Sequence, residues 1–217
     1  MRATLGSLVV AATLAVAAAV VAAGVPAGAA PNIPRSIYVA QQDMRMCPSP
    51  LCGGYWVALA NHARTRCADG TLRARCYVAF ARDRTTGKTL SLPEGGLAAA
   101  LLTSQPSDWN PLGVLLVDET WAPVSRTSPT GRFVRLRDTG TRCVRRPCFS
   151  IRADLLNSTK RLGRVSALRL GPAQTGAARR RAEGALSSGD GLLVSGSIVN
   201  TSGGDRVVAA TQVYLKP

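Results

Sequence analysis

The 217-residue chain carries 27 Lys and Arg against 12 Asp and Glu, a net charge of +15, with six cysteines and a single histidine. One histidine rules out a His-built metal cluster, and an even cysteine set in a chain with an export signal points to disulfides rather than thiol or zinc chemistry. The charge is uneven: residues 30–120 hold nine basic against seven acidic side chains, residues 121–217 seventeen against five. A basic half suits an anionic partner such as a wall polymer, acidic polysaccharide, lipid headgroup or nucleic acid. An Ala-, Gly- and Arg-biased codon usage would give the same excess, because Arg outnumbers Lys 24 to 3.

Met1-Arg2, an apolar run from Leu5 to Val25 and the small-residue site Ala27-Gly28-Ala29 read as a cleaved signal peptide over residues 1–29. The mature part, 30–217, is long enough for one compact domain. It has no second apolar run of membrane-spanning length, so no span is expected after cleavage and the protein is placed in a secreted or periplasmic setting.

In chain order, Ser36 to Ala40 reads as a strand. Tyr55, Val57 and Leu59 alternate against Trp56, Ala58 and Ala60 as the next, and Tyr77 to Phe80 as a third. Ser91-Leu-Pro-Glu94 has the form of a capping box, which predicts a short helix to about Thr103. Asp108-Trp-Asn-Pro111 ends that excursion as a turn, and Val114 to Val117 resumes as strand. Phe133 to Leu136, Phe149 to Leu155 and Val165 to Leu170 continue as strands. A second helix is predicted over Gln174–Leu186, with Ala178, Ala182 and Ala185 on one face and Arg179 to Arg181 outward. Leu192–Val199 and Val207–Leu215 close the chain as strands.

One motif occurs twice: Cys, four residues, Cys, eight residues, Asn, as Cys47/Cys52/Asn61 and Cys143/Cys148/Asn157. With the similar order of elements on either side, it suggests two pseudo-repeats, about 31–125 and 126–217. The fold expected is therefore α+β: mainly antiparallel strands and two short helices in one disulfide-stabilised domain. If the halves are related, each pair closes on itself, Cys47 with Cys52 and Cys143 with Cys148. Cys67 is then left to Cys76, an inference from symmetry among the many connectivities that six cysteines allow.

Each short disulfide loop reads as a clamp on its flanking strands or as a stiffened recognition edge. Pro48, Ser49, Pro50 and Leu51 form a candidate recognition loop. Arg142, Arg145 and Arg146 form a candidate anion-binding group, because guanidiniums bind carboxylate or phosphate bidentately. Catalytic, metal and cofactor residues are expected to be none: His62 stands alone, no Gly-x-Ser-x-Gly elbow exists, and Asp118 and Glu119 are strand neighbours facing opposite ways.

The run from Asp43 through Cys47, Cys52, Gly53-Gly54 and Val57, followed by Asn61, Cys67-Ala-Asp-Gly and Cys76-Tyr-Val-Ala, resembles an uncharacterised family of exported bacterial proteins, a domain of unknown function. Gly140-Thr-Arg-Cys143 to Cys148 with Leu156-Asn157 is similar to its second block. The resemblance implies export and one compact unit, and no chemistry. The leading expectation is a non-catalytic binding or structural module contacting an anionic envelope polymer or a protein, with no specific nucleic acid. The alternatives are a protease inhibitor presenting Pro48 to Leu51, or an enzyme of unrecognised type.

Overall fold

In the computed structural model, residues 35–105, 112–171 and 176–217 are described. The expected leader over 1–29, the turn at 108–111 with Trp109, and Gln174 lie outside them. The described chain is mostly β, with thirteen strands and one short helix. This corrects the α+β expectation.

The first five long strands are β1 (Ser36–Gln42), β2 (Tyr55–Leu59), β5 (Cys76–Asp83), β6 (Leu97–Ser104) and β7 (Gly113–Pro123). Short β3 (Thr65–Arg66) and β4 (Leu72–Arg73) pair with each other. β1 pairs β2, β2 pairs β5, β5 runs parallel to β7, β7 pairs β6, and β6 returns to β1. The pairings close a five-stranded ring.

The chain then traces a second ring from β8 (Arg132–Asp138), β9 (Ile151–Leu155), β10 (Arg161–Val165), β11 (Ala167–Leu170), β12 (Leu192–Asn200) and β13 (Arg206–Leu215), with the helix α1 (Gly176–Ser187) inserted before β12. β10 pairs β9, β9 pairs β8, β8 pairs β12, β12 pairs β13, and β11, just after β10, runs parallel to β13. The registers correspond. Tyr38 faces Leu59 and Ala98; Val134, 96 positions on, faces Leu155 and Val194. Both rings carry a bulge at the same place, skipping Asp118 in β7 and Thr211 in β13.

Strand alternation sorts the side chains into three cores. Tyr38, Ala40, Val57, Val78, Leu115 and Val117 fill the first ring. Val134, Leu136, Ala153, Val165, Val208 and Ala210 fill the second, where Ala182 of α1 also packs. Between the rings, Ile37, Leu97, Trp121, Leu193 and Tyr214 form a seam with Phe133 against it. There β7 and β13 pair at Ala122 and Leu215, joining the rings into one sheet.

The expected helix from Ser91 to Thr103 is instead a turn followed by β6. Gly95 takes φ +63°, and at Gly96 a Cβ would lie 2.7 Å from the Trp121 carbonyl, so the chain turns there with no room for a helical side chain. Leu97 and Ala99 then point into the seam while Ala98 and Ala100 point into the first ring. Burial on both faces outweighs the helix preference of alanine, and the small side chains fit between two packed layers. The helix expected from Gln174 to Leu186 is observed at Gly176–Ser187, with Ala182 inward and Arg179, Arg180 and Arg181 exposed.

Candidate functional site

The six cysteines form three disulfides, Cys47–Cys52, Cys67–Cys76 and Cys143–Cys148. The two short loops join the first and second strands of their rings. In the first, Arg45 donates to both carboxylate oxygens of Asp43 at 2.8–3.0 Å and to the Leu51 carbonyl at 3.0 Å, while the Tyr77 hydroxyl donates to the Pro50 carbonyl at 2.9 Å. Asp43 is buried, 4% exposed, and the Arg45 hydrogen bonds hold its carboxyl below the usual range against the opposing pull of burial. The Arg45 guanidinium lies 5.1 Å from the Trp56 ring and 5.3 Å from that of Tyr77, and the two rings meet edge to face at 5.5 Å. Pro48 and Ser49 are exposed, Pro50 is half-buried and Leu51 is exposed. The loop is thus braced from behind by its own cation and aromatics.

The second loop is more open. Arg142, Arg145 and Arg146 are all exposed. Arg142 is committed to Asp138, at 3.1 and 2.9 Å, which holds that carboxyl below its ordinary range. Arg146 reaches a groove of about 730 Å3 between this loop, β11 and α1, where Arg169 and Arg179 also line the wall with Glu183 and Asp205. The structure therefore divides the three candidate arginines: Arg142 is paired, Arg145 is exposed, and Arg146 joins cations from other elements.

Beside this loop lies an arrangement that the sequence does not bring to notice. Arg137 faces Arg152 across β8 and β9, and Arg152 faces Arg164 across β9 and β10. With neighbouring strands about 4.8 Å apart, three arginines cross the outer face in one row. Asp154 relieves it, 2.9 Å from the Arg152 Nε. The corresponding row of the first ring is Gln41, Trp56 and Tyr77. The alternation Phe133-Val-Arg-Leu-Arg137 and Ile151-Arg-Ala-Asp154 signals that these arginines point outward; which of them stand side by side follows only from the register.

His62 is exposed, with Nε2 3.0 Å from the Asn157 carbonyl. Asp118 sits on the bulge between Arg84 at 2.8 Å and Arg35 at 3.5 Å, and Glu119 lies 3.5 Å from Lys216. Among the described residues, no group of three or more His, Cys, Asp or Glu is placed to hold a metal ion. No helix among them is long and apolar enough to cross a membrane.

These features define a disulfide-bonded, mostly β protein with a β-barrel, and three disulfides are consistent with an extracellular location. Residues 36–217 match the model of a family described as a domain of unknown function, DUF6748, and the chain belongs to that family. No curated protein and no solved structure matches it.

Proposed function

We propose that this protein is an exported, non-catalytic binding module whose second ring holds an anionic envelope polymer against the outer face of β8, β9 and β10. The row Arg137, Arg152, Arg164 carries the reading. Like charges set directly opposite each other across strands are destabilising, so the fold gains nothing from three of them in line. The first ring serves as an internal comparison: with the same strand order and register it carries Gln41, Trp56 and Tyr77 there. A codon bias acting on the whole chain would not single out one ring.

The matching registers support duplication of an ancestral five-stranded unit followed by divergence, one copy stiffening its outer face with aromatics and the other charging it. Five-stranded Greek-key barrels in other proteins bind oligonucleotides and oligosaccharides on the face of strands 2 and 3, between the loops joining strands 1–2 and 4–5. Here β9 and β10 form that face. It is flanked by the Arg142–Arg146 loop and by the turn between β12 and β13. This is an analogy of architecture and does not choose the ligand. The chemistry does: guanidiniums at strand spacing suit closely repeated carboxylates or phosphates.

The test is retention on immobilised polygalacturonate and polyphosphate. The protein should bind at low ionic strength and elute as salt rises past about 0.1 M, where exposed charges are screened. The double variant R152Q/R164Q should elute markedly earlier. Free passage of the wild type at low salt, or identical elution of the variant, refutes the reading.

A further inference from the structure

At the inner end of this row the chain forms a second arrangement. Arg135 and Arg137 line a cleft of about 450 Å3 at the seam between the rings, with Arg35, Glu119, Asp154 and Asp190 around it. Each acid there already has a cation. Lys216 lies 2.7 Å from Asp190 and 3.5 Å from Glu119, and Arg152 lies 2.9 Å from Asp154. Arg35 is drawn to Asp118 at 3.5 Å. Arg135 and Arg137 are left over. Among the described residues neither side chain makes a hydrogen bond or ion pair, and the Nε of each is shut off from solvent without an acceptor.

Two guanidiniums two residues apart on one strand face share a side of the sheet and repel each other. Burial and the charge of Arg137 both disfavour protonation of Arg135, and Glu119, Asp190 and Asp154 only partly offset them. An N–H group closed off from water without an acceptor is unfavourable. Only the Nε of each is closed off in this way; an oxyanion between the two side chains would accept from the outer guanidinium N–H groups and offset the charge.

The first ring supplies the comparison again. A cleft of about 880 Å3 on the other side of the seam is lined by Val39, Gln41, Glu94, Gln212 and Tyr214. By strand register these stand where Arg135, Arg137, Asp190, Glu119 and Trp121 stand in the charged cleft. Ring packing therefore needs no arginine at either position.

We propose that the charged cleft binds a small oxyanion-bearing molecule, its carboxylate or phosphate group gripped by the guanidiniums of Arg135 and Arg137. This site shares Arg137 with the open-face row and adds Arg135 at the seam, and its volume of about 450 Å3 suits an amino-acid- or sugar-phosphate-sized ligand.

Calorimetric titration of the full protein with succinate and with inorganic phosphate tests it and separates the two anion types. At least one should bind at up to about 10 mM, where a millimolar site is filled. R135Q and R137Q should each weaken that binding at least tenfold. R137K, which keeps the charge and loses the fork, should weaken it as well while retaining the fold. R164Q, altered only on the open face, should bind the small anion like the wild type while eluting earlier from the polymer, so the two readings can fail separately. Absence of binding by both anions to the wild type, or unchanged affinity in R135Q and R137Q, overturns the proposal.

Discussion

Asn61 and Asn157 secure each other's ring. The Asn61 side chain donates to the carbonyls of Phe133 at 2.7 Å and Leu156 at 3.1 Å and accepts from the Phe133 amide at 2.8 Å. Asn157 does the same to Ile37 and Ala60, at 2.7, 3.0 and 2.7 Å. Both residues sit at positive φ, 65° and 54°, which asparagine tolerates better than other side-chain-bearing residues. Each follows the second strand of its own ring and caps the place where the first and second strands of the other ring end their pairing. The asparagine of the twice-occurring motif is thus a fastener across the seam, and the cysteines before it shape the approach.

Asn61→Ala removes three partly buried hydrogen bonds and leaves a residue poorly suited to its backbone. A loss of roughly 2–4 kcal/mol is expected in denaturant unfolding, from unsatisfied partners and left-handed strain together. Asn61→Gly relieves the strain alone and should lose less. Asn157 should behave in parallel. Equal stability of wild type and N61A would show that the seam does not depend on this exchange.

Gly95 and Gly191 occupy corresponding turns before β6 and β12, at φ +63° and +74°, in unequal surroundings. A Cβ at Gly95 meets nothing within 4 Å, whereas one at Gly191 would lie 2.5 Å from the Leu136 carbonyl. G95A should cost about 1–2 kcal/mol from backbone conformation alone. G191A should cost about 1–3 kcal/mol more, because backbone must shift. Thermal melts of the two variants measure the difference, and equal losses would contradict the packing described.

Stability should fall at both ends of the pH range. Asp43, Asp69, Asp83, Asp138 and Asp190 are all held below the ordinary carboxylate range, chiefly by hydrogen bonds from Arg45, Thr71, Thr86, Arg142 and Lys216 respectively. Their contribution is complete above the unfolded value of about 4 and is lost as pH falls through the lower folded values. D43N should flatten this acid limb.

At the other end, burial pushes the Tyr214 hydroxyl up to about 12, with Ser195 pulling the opposite way. Its contribution is full below about pH 10 and disappears as pH rises through about 12. An ultraviolet titration should show a late-ionising component near 12 that is lost in Y214F, with Tyr38 and Tyr77 also raised by burial. All tyrosines titrating together near 10 would contradict the buried seam.

Much of the strand layout is visible in the residues themselves. Tyr55, Val57 and Leu59 line one core as their alternation implies, because a sheet face on a core imposes period two on its side chains. Val207 to Leu215 also forms a strand, but the bulge at Thr211 moves its ring-core face from Val208 and Ala210 to Val213 and Leu215. The segment 91–103 misleads for a definite reason. Ser-x-x-Glu and a run of alanines satisfy helix rules locally, while the deciding factor is that Leu97 to Ala100 must fill two cores at once. The candidate site was legible only in outline. Arg142, Arg145 and Arg146 stand out because they cluster in sequence, whereas Arg137, Arg152 and Arg164 are scattered along it.

By itself the sequence determined the local matters: which residues alternate, where glycine and proline turn the chain, that six cysteines in pairs suit an oxidising compartment, and that positive charge gathers after Thr120. Those follow from each residue and its near neighbours. Tertiary structure alone decided that the strands close into two rings, that Asn61 and Asn157 reach across to each other's edges, and that arginines from three strands stand in one row. The reason is that strand register is set by burial over the whole sheet: a one-residue shift would turn every core side chain outward and break the row.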